Sequence, residues 1–452
     1  MRWAIAAALA LLAGFCTTSH ASENPNPPSD ETLPPPSARG VLDDEPMVSV
    51  VPLKSQQEPQ RCLRCAETVP YCSNCVGCGN FTDDWPSERL WLKGDYILWW
   101  VAGNRLPPLV TSSPSGTTRS EAGVLGVGHP LAPLTNTTSI QFGSEKVDAD
   151  VRFGGRITGG FWFDDCQRYG LEGTWFSLED EVATRFPVGS ASSPIVARPF
   201  FNVGILAQDS QLVAFPDVVD GQIAVTTGSE VQSGAIGVRR LAWVGEHGRI
   251  DFLLGYRFMR FDEELLIDED LVSTNPGGVI PQGTTFDVFD RFDTQNLFHG
   301  ADFGVSVEYR RGYAKLDATG KLGLGGLHRE LDIAGATTVM PPDELPVTNV
   351  GGLLAQPTNI GVHDDTDFAI VPELNVNLQF SLTCDLKCSL GYSLILLTGV
   401  LRTGEQIDIA VDSTALPTAS NTIGAGPGHP TVNLNDTNLW LQGLSFGVEI
   451  RR

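Results

Sequence analysis

The chain has 452 residues, enough by length alone for two or three domains, and 42% of them are hydrophobic. Its 30 Lys and Arg stand against 54 Asp and Glu, a net charge of −24, which excludes nucleic acid and an anionic lipid surface as electrostatic partners. After the first apolar run no window approaches the ~18 residues of a membrane helix; LGYSLILLTGVL at 390–401 is too short.

That first run, Ala4 to Phe15, follows Arg2 and ends on the small-x-small triplet Ser19-His20-Ala21. Residues 1–21 therefore read as a secretory signal peptide cleaved after Ala21. Bulky Phe15 argues against acylation of Cys16. Loss of Arg2 with the leader takes the net charge to −25. Residues 22–60, rich in Pro, Ser and acids and without an apolar period, read as a disordered linker.

RCLRCAETVPYCSNCVGCGN, residues 61–80, holds Cys62, Cys65, Cys72, Cys75 and Cys78. The C-x2-C steps are those of a zinc site, but six residues between the pairs are few for a ribbon. Exported thiols also meet an oxidising compartment. Residues 61–85 are thus expected to form a Cys-rich periplasmic segment. The five cysteines join Cys166, Cys384 and Cys388 as disulfide candidates, with zinc or links to other envelope proteins as alternatives. No metal and no other cofactor is assigned.

From Trp91 onward the text alternates. In FAIVPELNVNLQFSLT, Phe368, Ile370, Leu374, Val376, Leu378 and Phe380 share one face, while Glu373, Asn375, Asn377 and Gln379 share the other. A period of two is a strand; Pro372 marks a bulge or the strand's outer end. Such segments lie near 91–102, 151–163, 168–180, 230–243, 249–263, 296–309, 312–325, 366–383, 386–399 and 438–451. Their connections alternate between long Gly- and Pro-rich stretches and the short turns DDCQ, GEHG, RRG and CDLK. Two weaker runs, 205–215 and 327–335, would raise the strand count from ten to twelve. Seven tryptophans (Trp91, Trp99, Trp100, Trp162, Trp175, Trp243 and Trp440) fall in these segments, as interfacial girdles require. The expected fold over 86–452 is all-β: an antiparallel up-and-down transmembrane β-barrel of about ten strands, with long outer loops and short periplasmic turns. A soluble β-sandwich also alternates, but it does not explain the loop rhythm. Both termini are then periplasmic, and outer-membrane lipid is the expected partner. The sequence leaves oligomeric state open.

Strand parity places Arg152, Arg156, Glu172, Asp251, Arg257, Asp302, Glu308, Lys315, Asp317, Lys321 and Glu373 inside the barrel. Mixed signs favour an internal ion-pair network over a filter of one sign, and ten strands leave little room for an open pore. The acidic runs FDEELLIDEDL, PPDEL and HDDTDF read as solvated loops, with divalent-cation capture as the alternative.

The phrases DYILWW, RLPPLVTSSP, GGRITGGFWFDDC, ARPFFN, LLGYRFMRFDEEL, TQNLFHGADFG, GLLAQPTNIG, FAIVPELNVNL, GYSLILLTGVLRTGEQID and NLWLQGLSFGVE, in that order, resemble the putative beta-barrel porin-7 family of bacterial outer-membrane proteins. The resemblance covers most of 91–451 and implies a barrel and a porin label, but no activity. The chain ends Ile450-Arg451-Arg452, not on the aromatic usual for a last strand. A narrow porin or channel for small solutes is the leading functional expectation; a closed structural or surface-contact barrel is the alternative, and a barrel hydrolase a distant third. No enzymatic activity is expected: His129, His247, His299, His328, His363 and His429 are scattered, and neither Gly-x-Ser-x-Gly nor His-Glu-x-x-His occurs.

Overall fold

A computed structural model describes residues 89–126, 138–147, 150–188, 195–383, 385–417 and 428–452. The leader, the linker and Cys62, Cys65, Cys72, Cys75, Cys78 and Cys384 lie outside the described residues.

Ten strands form the body: β1 (Leu90–Val101), β2 (Val151–Trp162), β3 (Tyr169–Val188), β4 (Val219–Val244), β5 (Gly248–Ser273), β6 (Thr285–Arg311), β7 (Ala314–Met340), β8 (Gly361–Ser381), β9 (Leu386–Leu401) and β10 (Asp436–Arg451). Each pairs antiparallel with its neighbours in the chain. The ring closes where β1 meets β10, Leu98 lying opposite Leu444. Closure removes every free edge, so each strand's backbone groups are met by the next. This is the up-and-down barrel the alternation predicts. Both ends of the ring, Leu90 and Arg452, lie hydrogen-bonded together at the short-turn end.

Neither weaker run adds a strand to the ring. Ala207–Ala214 belongs to a second, smaller sheet, and 327–335 is the continuation of β7. β4 to β7 run for 26 or 27 residues each. At ~3.3 Å per residue that is ~90 Å of strand, whereas ~9–11 tilted residues cross a bilayer. Much of what reads as outer loop over 264–295 and 326–365 is therefore barrel wall. Pro372 sits within β8, in register with Leu322 of β7, and the ladder to β9 begins one residue later at Glu373. Its missing N–H thus falls where pairing on that side stops.

The connections at the other end fold together. Val110–Ser113, Ser139–Phe142, Ile195–Asn202, Ala207–Ala214 and the two-residue Ala410–Val411 form the second sheet, drawn from the loops after β1, β3 and β9. Leu109, Val110, Val196, Phe200 and Val213 from these loops pack with Ile223 and Val225 of β4, Leu265 and Ile267 of β5, Phe292 of β6 and Leu331 and Ile333 of β7 in one apolar cluster. The loops thereby fill the outer half of the ring.

Outward, the short-turn half is apolar. Leu92, Tyr96, Phe153, Ile157, Phe252, Leu254, Tyr256, Phe303, Val305, Leu316, Leu374, Leu378, Leu390 and Ile450 are among the exposed large side chains. Of the seven strand tryptophans, only Trp100, Trp175, Trp243 and Trp440 are exposed. Trp91, Trp99 and Trp162 are buried inside, which corrects their reading as girdle residues.

Candidate functional site: the barrel interior

Alternation sends every second side chain inward, so the interior is built by sequence parity. Three layers stack along it.

The layer nearest the short turns is ionic. Ten of the eleven charged residues that parity assigns inward lie in it with low exposure, all but Arg152, and they are joined by Lys93, Asp95, Arg239, Arg249, Arg310, Lys387, Glu449 and Arg451. Arg156 of β2 pairs with Asp95 at 3.0 Å, and it also donates to Asn375 of β8 (3.1 Å), Ser393 of β9 (3.0 Å) and Ser445 of β10 (3.2 Å). One guanidinium therefore reaches strands on several sides of the interior. Arg239 of β4 pairs with Glu172 (2.7 Å), Asp251 (3.0 Å) and Glu308 (3.5 Å). Arg257 pairs with Asp302 at 3.1 Å and with Glu373. Lys315 meets Glu308 at 3.1 Å, Lys321 meets Glu172 at 3.6 Å, and Asp317 accepts from Ser306 at 3.3 Å. Trp162 carries Arg249 over its face, 4.4 Å from the ring centre. A cavity of about 100 Å³ is left among these groups, room for roughly three waters.

The middle layer is apolar. Ile97 and Trp99 of β1, Phe176 and Leu178 of β3, Val231 of β4, Met259 and Phe261 of β5, Phe298 of β6, Leu327 of β7, Val371 of β8, Ile395 and Leu397 of β9 and Leu441 of β10 form one buried cluster. Nine of the ten strands contribute, nearly all side chains with no exposure. β2 has Gly154 at this level, where a Cβ would come within 2.8 Å of Leu178 Cδ2. Arg152, further along β2, donates to Ser229 of β4 at 2.5 Å.

Above this, two arginines from connecting segments are held by carboxylates of the wall. Arg402 pairs with Glu263 and donates to the carbonyls of Ala102 (2.7 Å) and Gly103 (3.0 Å). Arg198 pairs with Glu269 and, at 2.6 Å, with Asp290. Asp290 also accepts the backbone N–H groups of Leu353 (3.2 Å), Leu354 (3.1 Å) and Ala355 (2.8 Å). Burial works against the Arg198 guanidinium, yet Asp290 and Glu269 outweigh it and raise its pKa. Burial pushes the Glu269 carboxyl up, against the pull of Arg198. The run FDEELLIDEDL is thus no solvated loop: it is part of β5, with Glu263 and Glu269 buried inside and Glu264 and Asp270 exposed outside.

Lys93, Asp95, Lys387 and Glu449 share the parity of the residues already assigned and were legible by the same rule. Arg198 and Arg402 lie off the ring strands, where no period marks them. Cys166 is disulfide-bonded; no cystine joining two described residues is present, so no pairing is assigned. No group of three His, Cys, Asp or Glu stands in a metal-holding arrangement among the described residues.

Comparison with known proteins adds a family. Residues 91–451 match the family described as Putative beta barrel porin-7 (BBP7). No curated protein matches the chain. Similar solved structures include the outer membrane protease OmpT from Escherichia coli, at 9% identity and a TM-score of 0.35, over 80% of this chain and 97% of that one. Others are the P. putida toluene transporter TodX (6%, 0.16, 80% and 90%) and a Pseudomonas aeruginosa FadL homologue (8%, 0.16, 80% and 89%). With a protease among these structures, the expectation that the chain is not an enzyme is withdrawn. At these scores the likenesses assign no activity.

Proposed function

The chain belongs to the putative beta barrel porin-7 family of outer-membrane β-barrels, and on that footing we propose that it is a closed barrel, acting through its loop-built head rather than by diffusion through its interior. The apolar layer carries this reading. Buried side chains from nine strands meet between two ionic layers, and no hydrated path passes such a layer without displacing packed Phe, Leu and Ile. The same geometry favours the surface-contact alternative over the narrow channel that ten strands and a porin-like sequence lead one to expect. The short-turn end is the periplasmic one in this reading, since long loops face outward in barrels of this kind.

Planar-bilayer recording of the folded full-length protein tests it. The expected result is silence at moderate voltage. A Phe261→Ala/Phe298→Ala double variant, which removes two large members of the layer, is expected to conduct in discrete steps. Stepwise conductance by the unaltered protein at the same level as the double variant sinks the closed-barrel reading and restores the channel.

A further inference from the structure

Cys166 is disulfide-bonded and lies, buried, in the short turn between β2 and β3. Cys388, the other described cysteine, is a thiol and stands on the outward face of β9, opposite Phe380 and Val448. The partner of Cys166 is therefore a cysteine outside the described residues. Leaving Cys16 with the leader, the choice is Cys384 or one of Cys62, Cys65, Cys72, Cys75 and Cys78.

Position on the ring argues against Cys384. Its turn joins β8 to β9, so β2, β1, β10 and β9 lie between it and the turn of Cys166 by the shorter way round. Ten tilted strands ~4.8 Å apart make a ring ~20 Å across. The two turns thus face each other over nearly its full width, whereas a cystine needs Cα atoms within about 7 Å. Each turn is also tied down beside its cysteine. Gln167 N–H donates to the Asp164 carbonyl at 3.0 Å, and Arg451 N–H donates to the Asp385 carbonyl at 2.9 Å.

The N-terminal cysteines, by contrast, precede the point where the chain enters the ring beside Cys166. At that point Arg89 donates through Nε to Asp165, the residue next to Cys166, at 2.7 Å, and its carbonyl accepts Trp162 N–H at 2.8 Å. The eleven residue steps from Cys78 to Arg89 span up to about 36 Å, more than the return to Cys166 requires. Five cysteines cannot all pair among themselves, so one is left for Cys166.

We propose that Cys166 pairs with one cysteine of the 62–78 segment and so staples that segment to the short-turn end of the barrel. The staple sits at the rim of the ionic layer: Gln167, the next residue, lines its cavity and accepts from Arg249 at 3.0 Å. Its formation joins two sulfurs and releases two protons. The two electrons pass to the disulfide of an oxidising dithiol protein, which leaves as two thiols. Both faces of an outer membrane lie beyond the reducing cytosol, so the pairing depends neither on which end is periplasmic nor on whether the barrel conducts.

Peptide mapping without reduction tests it, on full-length protein extracted from outer membranes with its thiols alkylated first. Trypsin places Cys166 in 157–168, Cys62 in 62–64, the other four N-terminal cysteines in 65–89 and Cys384 in 330–387. The expected product is 157–168 joined to 62–64 or 65–89. An alkylated Cys166 overturns the staple, as does 157–168 joined to 330–387 or to a peptide of another protein. Cys166→Ser supplies a second readout. The heat-dependent gel shift of a folded barrel is expected to persist, with one more alkylated cysteine in the 62–78 segment than in the unaltered protein. An unchanged number there overturns the pairing.

Discussion

Along β5 the outward side chains change from Phe252, Leu254 and Tyr256 to Arg260, Asp262 and Glu264, while the inward ones change from Asp251 and Arg257 to Phe261, Leu265 and Ile267. β7 makes the same exchange. Leu316 and Leu322 point out in its first half, whereas Leu327, Leu331 and Ile333 point in further along. One continuous strand thus obeys two opposite rules. Lipid around the short-turn half requires an apolar exterior and tolerates ion pairs within; water around the outer half requires the reverse. The outer half is an ordinary water-bathed sheet packed on its own loops, and the inner half is a membrane barrel packed on salt bridges. Their junction is the apolar layer.

The sharpest way to break the outer half alone is Arg198→Met, which strands Glu269 and Asp290 as uncompensated buried charges. Removing one partner of such a group costs about 3–5 kcal/mol. Limited proteolysis is expected to cut the head, 195–214, while the gel shift of the barrel persists. Loss of both together would show that the halves fold as one unit.

A second comparison uses one strand and one face. Leu254→Lys places a charge in the lipid-facing band and is expected to destabilise by about 2–4 kcal/mol. Leu266→Lys, twelve residues along β5 and also outward, should lie within about 0.5 kcal/mol of the unaltered protein. Urea unfolding in lipid vesicles, followed by tryptophan fluorescence, measures both. Equal costs would place Leu266 in lipid as well and move the junction outward.

This exchange of faces also explains what the sequence shows and hides. All ten ring strands are legible because each has a stretch in which apolar residues hold one parity. The long wall of β4 to β7 is not, because apolar residues change parity at the junction. On β7, Leu322 and Leu324 are followed by Leu327, so a template of fixed phase reads an end and then a separate run at 327–335. Inward charges in the membrane half follow from parity alone. The partners that close the outer half do not: Arg198 sits on a short strand of the second sheet and Arg402 follows β9 directly. Only the folded loops bring them to Glu269, Asp290 and Glu263.

The smallest effect concerns the outer wall's exterior. Glu264, Asp293 and Asp332 stand in one row across β5, β6 and β7. Like charges directly opposite one another repel, and Arg291 relieves this only in part, at 3.0 Å from Asp293 and 3.2 Å from Asp332. Burial first, then Glu264 and Asp332, push the Asp293 carboxyl from 3.8 up to about 6 against the pull of Arg291. A raised carboxyl pKa means that the folded wall prefers the protonated form. Its contribution to stability is therefore complete below pH 3.8 and is lost as pH rises through about 6. Asp293 is about a third exposed, so solvent screening keeps the effect small. The urea midpoint of the outer half is expected to fall modestly between pH 5 and about 7.5, and Asp293→Asn should flatten that slope. An unchanged slope in the variant would assign the pH response to other groups and leave the acidic row without energetic consequence. A flattened one ties it to the half of the wall that water, not lipid, surrounds.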